Sequence, residues 1–109
     1  MKTLSFALTV PGLLAASLTA FSWGGQAQAM DPLQVRSMAA ACFNCHGTQG
    51  VAQPGMVSLA GSDKDAMLKK LLDYKAGKLP ASVMHQLVKG YTDEQLGALA
   101  VYFSIQKKP

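Results

Sequence analysis

The sequence predicts a small all-α domain with long loops. Apolar residues recur at helical spacing through most of the chain after residue 30, and alternating strand patterns are scarce. Glycine and proline cluster between the helical stretches. Structureless loops of this length are uncommon in so short a chain. We therefore expect the loops to wrap around a large prosthetic group.

The N-terminal segment has the features of a secretory signal peptide. Lys2 is followed by a largely apolar run, residues 4–20, and the segment ends in Ala27-Gln28-Ala29. Signal peptidase accepts small residues three before and one before the bond that it cuts. The sequence therefore predicts a signal peptide at residues 1–29 and a single domain at residues 30–109.

An uncleaved membrane anchor is the alternative interpretation of the same segment. Pro11 and Gly12 interrupt its apolar run, which disfavours a membrane-spanning helix. We expect an exported protein with no stable membrane insertion once the signal has been removed.

The first predicted helix runs from Pro32 to Ala41 and leads directly into Cys42. Asp31 is its expected cap, and proline is favoured at the first helical position. Residues 47–61 are predicted to form a loop, because four glycines and one proline punctuate them.

Three further helical stretches are predicted. One begins at the N-cap Ser62, ends at Gly77 and Pro80, and carries an apolar stripe formed by Met67, Leu68, Leu71 and Leu72. A short stretch follows at Ala81–Lys89, with Gly90 as a left-handed stop. The last helix starts at a capping box, Thr92 with Gln95, and its inward face should be Leu96, Leu99, Ala100 and Phe103.

Charge and size exclude some classes of function. The formal net charge of the whole chain is +4, but the basic residues are scattered, so nucleic-acid binding is a poor interpretation.

The exported domain would hold roughly eighty residues, a size at which a hydrophobic core alone is marginal. A disulfide between Cys42 and Cys45 would close too small a loop to stabilise it much. A covalently bound group in the core would stabilise such a domain better.

The segment Cys42-Phe43-Asn44-Cys45-His46 has the C-x-x-C-H pattern of covalent haem attachment. Residues three apart lie on the same face of a helix, so both thiols can add to vinyl groups of one porphyrin. The next residue, His46, can then bind the iron from the proximal side. The sequence therefore predicts one covalent haem c.

The sequence disfavours two other functions of the cysteine pair. A thioredoxin-like redox pair needs an α/β context, which this helical pattern does not provide. A zinc site needs a second pair of ligands at suitable spacing, and none is found.

The distal iron ligand is predicted to be a methionine, because a thioether suits haem iron. Met84 ranks first, since it follows a Gly/Pro-rich break that lets the chain pass to the other face of the haem. The adjacent His85 ranks second and Met56, in the loop, ranks third. The remaining methionines of the domain rank lower: Met30 and Met38 precede the attachment site, and Met67 lies in an apolar stripe.

Aromatic and proline residues near the motif have two possible roles each. Tyr74, Tyr91 and Tyr102 could pack in the core or bind haem propionates, and we favour packing for Tyr102. Pro54 is either a simple turn residue or the carbonyl partner of His46.

The chain resembles the class I c-type cytochromes across nearly the whole domain. The resemblance rests on the C-x-x-C-H segment, on Leu59-Ala60-Gly61, on the stretch Leu72–Lys78, and on a methionine before a capped final helix. The first part is similar to one half of the dihaem periplasmic cytochromes c. The stretch from Ala81 to Thr92 resembles the haem subunit of flavocytochrome c sulfide dehydrogenase, and this likeness implies that Met84 is the distal ligand.

The resemblance implies a periplasmic electron-transfer protein. One expected role is the haem subunit of a sulfide dehydrogenase, accepting electrons from a flavoprotein partner that carries FAD. The chain has no Gly-rich dinucleotide fingerprint and no cysteine beyond the haem pair, so flavin and sulfide chemistry would belong to that partner. The alternative is a free soluble carrier between respiratory complexes.

Overall fold

The computed structural model describes residues 29–109, so the predicted signal peptide lies outside the described residues apart from Ala29. Within residues 29–109 the fold consists of four α-helices, namely α1 (Pro32–His46), α2 (Lys64–Lys75), α3 (Met84–Lys89) and α4 (Asp93–Ser104). A short 3₁₀ turn, Thr48–Gly50, follows α1. No strand occurs in this part of the chain, which confirms the all-α prediction.

Helix α1 begins as the sequence predicts and extends further. The Asp31 side chain accepts a hydrogen bond from the Gln34 amide at 3.2 Å, and Pro32 occupies the first helical position. The helix continues through Cys42 and Cys45 to His46, so the whole C-x-x-C-H segment is helical. Both cysteines are therefore presented by one rigid element.

The start of α2 differs from the prediction. Asp63, not Ser62, is the N-cap, and its side chain accepts a 2.8 Å hydrogen bond from the Ala66 amide. The Ser62 amide is instead bonded to the Leu59 carbonyl at 3.2 Å, in the turn that closes the preceding loop.

Helix α2 ends before Gly77, as the sequence predicts, and Gly77 adopts the left-handed conformation with φ of 73°. The Lys78 amide donates to the Asp73 carbonyl at 2.8 Å and the Gly77 amide donates to Tyr74, which together form a Schellman motif. The Asp73 carboxylate pairs with Lys69 at 2.6 Å. That hydrogen bond lowers the pKa of Asp73, and Lys78 contributes a weaker attraction.

Helix α3 is shorter than predicted. It begins at Met84 rather than Ala81, because the backbone of Val83 lies outside the helical region, with φ of −135°. The left-handed stop predicted at Gly90 is also wrong, since Gly90 has φ of −73°. The amides of Gly90 and Tyr91 bond to carbonyls three residues earlier, so the last turn tightens without a left-handed residue.

Helix α4 forms as the sequence predicts. Thr92 and Gln95 make both hydrogen bonds of a capping box, at 3.1 and 2.9 Å. The four residues predicted to face inward, Leu96, Leu99, Ala100 and Phe103, are all at most 3% exposed. Helix α4 packs against α1 and α2, and α3 packs against α2.

All four helices contribute to one small core. It is formed by Ala39 of α1, Met67 of α2, Val88 of α3 and the inward face of α4. The predicted stripe of α2 is confirmed, with Met67 buried and Leu68, Leu71 and Leu72 packed against the cluster. Within residues 29–109 no polar or charged side chain is buried, while several large apolar side chains remain exposed.

Candidate functional site

The two cysteines lie at the C-terminal end of α1 as free thiols. Three residues apart on a helix, they share one face. Cys42 is half-buried against the core, whereas Cys45 is exposed. Burial raises the pKa of the Cys42 thiol. Both sulfurs can therefore reach one planar group lying against this face, with Cys42 on its inner side.

The imidazole of His46 is held by the loop that follows α1. Its Nδ1 lies 2.6 Å from the carbonyl oxygen of Val57. A carbonyl only accepts hydrogen bonds, so Nδ1 carries the proton and donates it. Nε2 is then the unprotonated nitrogen, with its lone pair free for a metal. In metal-binding histidines the ring nitrogen that does not bind the metal commonly donates such a hydrogen bond, which fixes the orientation of the ring.

The carbonyl partner of His46 is Val57, so of the two roles considered for Pro54 the structure supports the simple turn residue. Pro54 lies in an exposed turn, and the residue three positions later in the same loop supplies the acceptor. Only a backbone atom of Val57 is involved, and its side chain is 69% exposed. A backbone acceptor has no side-chain signature, so the sequence carried no signal that could have identified it.

The candidate distal ligands are found in different surroundings. Met84, at the start of α3, is half-buried and packs against the core. Met56 is 49% exposed in the loop, and Met67 is buried in the core as expected. Of the two that precede the motif, Met38 packs against the core and Met30 is half-buried before α1.

His85 is half-buried beside Met84. Its Nδ1 is buried and has no hydrogen-bond partner among the described residues. An unpaired buried nitrogen is unfavourable, so this ring is suited to a group that the protein atoms themselves do not supply.

The tyrosines separate into packing and polar roles. Tyr102 packs between aromatic rings, with centroids 6.4 Å from Phe43 and 5.1 Å from Phe103, which confirms the predicted packing. Tyr74 is half-buried against the core. The hydroxyl of Tyr91 points back to α1, where it lies 3.5 Å from the Met38 carbonyl.

The surface around Cys45 carries no charge. Between Arg36 and Asp63 the chain contains no Asp, Glu, Lys or Arg. An open groove of about 690 Å³ runs beside Cys45, and its lining mixes uncharged polar and apolar residues: Phe43, Asn44, Gly47, Thr48, Val51, Gln53 and Met56. Val57 extends this uncharged surface. A partner could lie against this groove without desolvating a charge.

These residues fit haem better than the alternatives. Two thiols on one helical face and one imidazole with a free Nε2 are the donors that covalent haem requires. Among residues 29–109, no cluster of three or more His, Cys, Asp and Glu side chains forms a metal site by itself.

The same residues contain no helix with the length and apolar character needed to cross a membrane.

Comparison with known proteins gives several relatives. The chain is 35% identical over 68 residues to the cytochrome subunit of sulfide dehydrogenase of Chlorobaculum tepidum, covering 62% of each protein. It is 34% identical over 97 residues to cytochrome c4 of Pseudomonas aeruginosa, covering 87% of this chain and 48% of the relative. It is 40% identical over 68 residues to cytochrome c-553 of Nitratidesulfovibrio vulgaris, covering 58% of this chain and 67% of the relative.

The chain thus spans from about half to about two thirds of the length of these relatives. No family model matches the chain.

Proposed function

The chain belongs to the class I c-type cytochromes, and its cofactor is covalent haem c. We propose that it holds one haem and passes electrons to or from a protein partner. When bound, the haem supplies an iron that takes up and releases one electron at a time. The residues of the chain have to attach it, ligate it and shield it from water.

Cys42 and Cys45 attach the haem in this proposal. Support comes from their placement on one face at the end of α1, as free thiols. Cys42 forms the inner linkage, where it packs against the core, and Cys45 forms the outer linkage, at the surface. The exposed linkage would leave one edge of the haem open to a redox partner.

His46 and Met84 are the proposed iron ligands. The hydrogen bond to the Val57 carbonyl orients the imidazole and keeps the proton on Nδ1, so that Nε2 can bind iron. Met84 is favoured over Met56 because it is half-buried at the start of a helix, whereas Met56 is 49% exposed in a loop. A half-buried thioether would help to keep water from the iron, and as a soft ligand it would favour the reduced state.

The proposed role is that of the haem subunit of a sulfide dehydrogenase, accepting electrons from a flavoprotein partner. The observation that carries this proposal is the similarity to a cytochrome subunit of that enzyme over 62% of the chain. The uncharged surface around Cys45 agrees with it, because a stable subunit interface is partly apolar.

The second candidate is a free electron carrier. The similarity to cytochromes c4 and c-553 favours it. A transient carrier usually docks through a charged rim, and its association then weakens as salt is added. The two candidates therefore differ in the salt dependence of their complexes.

The proposed site of action is the periplasm, following export by residues 1–29. The Ala27-Gln28-Ala29 segment supports this part of the proposal. Sequencing the N-terminus of the protein recovered from the periplasm tests it, and the expected first residue is Met30. Recovery of an uncleaved chain from the membrane fraction would contradict it.

The partner is tested by measuring association of the haem-loaded protein with the candidate flavoprotein at low and at high ionic strength. Tight binding that survives high salt, together with sulfide-dependent reduction of the haem, supports the subunit role. Binding only to a respiratory oxidase, lost on adding salt, supports the free carrier instead.

A further inference from the structure

The loop that holds His46 presents its carbonyl from a segment with little packing of its own. The Val57 side chain is 69% exposed, and the preceding Met56 is 49% exposed. A Cβ added to Gly55 would meet nothing within 4 Å, so the tip of the loop stands clear of the other described residues. Packing therefore does not explain why the Val57 carbonyl lies 2.6 Å from the imidazole.

Hydrogen bonds anchor the segment that follows this carbonyl. The amides of Leu59 and Ala60 both donate to the Gly50 carbonyl, at 2.8 and 3.1 Å. One residue earlier, the hydroxyl of the half-buried Ser58 accepts a 3.0 Å hydrogen bond from the Ala52 amide, which ties the two sides of the loop together below its exposed tip. The anchors at Leu59 and Ala60 are backbone groups, so Ser58 is the anchor that a substitution can remove.

The anchor at Ser58 acts on the neighbouring carbonyl through the peptide plane. The carbonyl of Val57 and the Cα of Ser58 belong to one planar peptide unit, which turns only as a whole. Ser58 is fixed by its own side chain and by the hydrogen bond of the next amide, so that unit has little freedom to turn. The carbonyl is therefore held towards His46 rather than towards solvent.

We propose that Ser58 is a positioning residue for the proximal imidazole: its hydroxyl fixes the Val57 carbonyl, and that carbonyl keeps the proton of His46 on Nδ1. The inference rests on the proposed ligation of iron by His46. Donation of a hydrogen bond from Nδ1 makes the other ring nitrogen more basic. A more basic imidazole favours the oxidised iron, because that state carries the higher positive charge.

A purely structural role for the same hydroxyl predicts less. In that case it satisfies the Ala52 amide and stabilises the loop, and Ser58→Ala lowers only the free energy of unfolding. The positioning role predicts two further changes in Ser58→Ala. The Nδ1 proton of His46 becomes less protected from solvent, and the reduction potential rises because the imidazole becomes less basic.

The test compares Ser58→Ala, Ser58→Thr and Thr92→Ala in the haem-loaded protein without any partner. Ser58→Thr keeps the hydroxyl. Thr92→Ala is the control for stability, because it removes the capping box at the start of α4, whereas the loop is bonded to the end of that helix at Phe103.

Two quantities are measured. In Ser58→Ala the Nδ1 proton of His46 should exchange about fivefold faster, as expected when the local opening has one hydrogen bond less to break. The equilibrium with a redox mediator should shift about twofold towards the reduced form. Ser58→Thr should restore both values, and Thr92→Ala should change neither.

Two outcomes would overturn the inference while leaving the ligation of His46 intact. One is a Ser58→Ala variant whose exchange rate and potential match those of Thr92→Ala. The other needs no variant: the Ala52 amide of the wild-type protein should exchange slowly, and exchange at the rate of a free amide would contradict its bond to Ser58. If the NMR shifts of the wild-type His46 ring show no bound iron, the proposed ligation itself fails, and this inference fails with it.

Discussion

The imidazole of His46 and the carbonyl of Val57 are joined by a 2.6 Å hydrogen bond that links the end of α1 to the following loop. The ten residues between them thus close onto the motif that carries both cysteines. The bond decides which ring nitrogen carries the proton, and hence which one can bind iron.

The first prediction concerns that proton. In the haem-loaded protein, the Nδ1 proton of His46 should be visible by NMR as a slowly exchanging resonance, because a carbonyl holds it away from solvent. Val57→Ala is the matched control, since it keeps the backbone carbonyl and removes only an exposed side chain. It should leave the resonance in place. A His46 ring without a proton on Nδ1 would contradict the proposed ligation through Nε2.

The second prediction concerns attachment. After expression with a cytochrome maturation system, the wild-type protein should retain haem on a denaturing gel, detected by its peroxidase activity. Cys42→Ala and Cys45→Ala should each weaken the stain, because one linkage remains, and the double variant should abolish it. Undiminished stain in the double variant would exclude these two residues as the attachment site.

The third prediction concerns the distal ligand. Met84→Ala should remove the far-red band that reports a thioether on oxidised iron, and it should lower the reduction potential because a soft ligand is lost. Two variants serve as controls. Met56→Ala changes an exposed loop residue, and both it and His85→Ala should retain the band. The assignment is wrong if Met84→Ala retains the band while either of the other variants loses it.

The fourth prediction concerns the loop that positions the histidine. Gly50 has φ of 81°, and an added Cβ would lie 2.8 Å from Phe103 Cδ1 and 3.0 Å from the Ala60 amide nitrogen. Gly50→Ala should therefore lower the free energy of unfolding by about 2–4 kcal/mol, through backbone strain and overpacking. Chemical denaturation of the haem-loaded variant measures it.

Two other glycines serve as controls for that measurement. Gly55 also has a positive φ, 95°, but a Cβ there meets nothing within 4 Å, so Gly55→Ala should cost only the strain, about 1–2 kcal/mol. Gly97 lies within α4 with open space around it, and Gly97→Ala should stabilise the protein by about 0.5–1 kcal/mol. Equal effects of all three variants would refute the packing explanation.

Most of the helical framework could be predicted from the sequence, because its determinants are local. The Asp31 cap, the Thr92–Gln95 capping box and the four inward residues of α4 each depend on side chains within one or two turns. The candidate haem-binding residues could likewise be predicted, because Cys42, Cys45 and His46 all lie within one five-residue segment. For the same reason the predicted stripe of α2 packs as expected.

Where two local solutions compete, the tertiary structure decided between them. Asp63 rather than Ser62 caps α2, because its carboxylate accepts from the Ala66 amide while the Ser62 backbone belongs to the preceding turn at Leu59. Gly90 is not left-handed, because its amide and that of Tyr91 already bond to carbonyls three residues earlier and close the end of α3. Both outcomes depend on neighbouring segments that a local pattern does not include.

The contacts nearest to the proposed haem site could not be predicted from the sequence. The Val57 carbonyl that holds His46 is a backbone atom, and every residue in the loop offers one. The Tyr91 hydroxyl meets α1 across a separation of 53 residues, which only the packing of the four helices sets. The sequence by itself determined most of the helices and the spacing of the cysteines and the histidine, because those features are local. The tertiary structure determined which backbone carbonyl orients His46, because that depends on how distant segments meet.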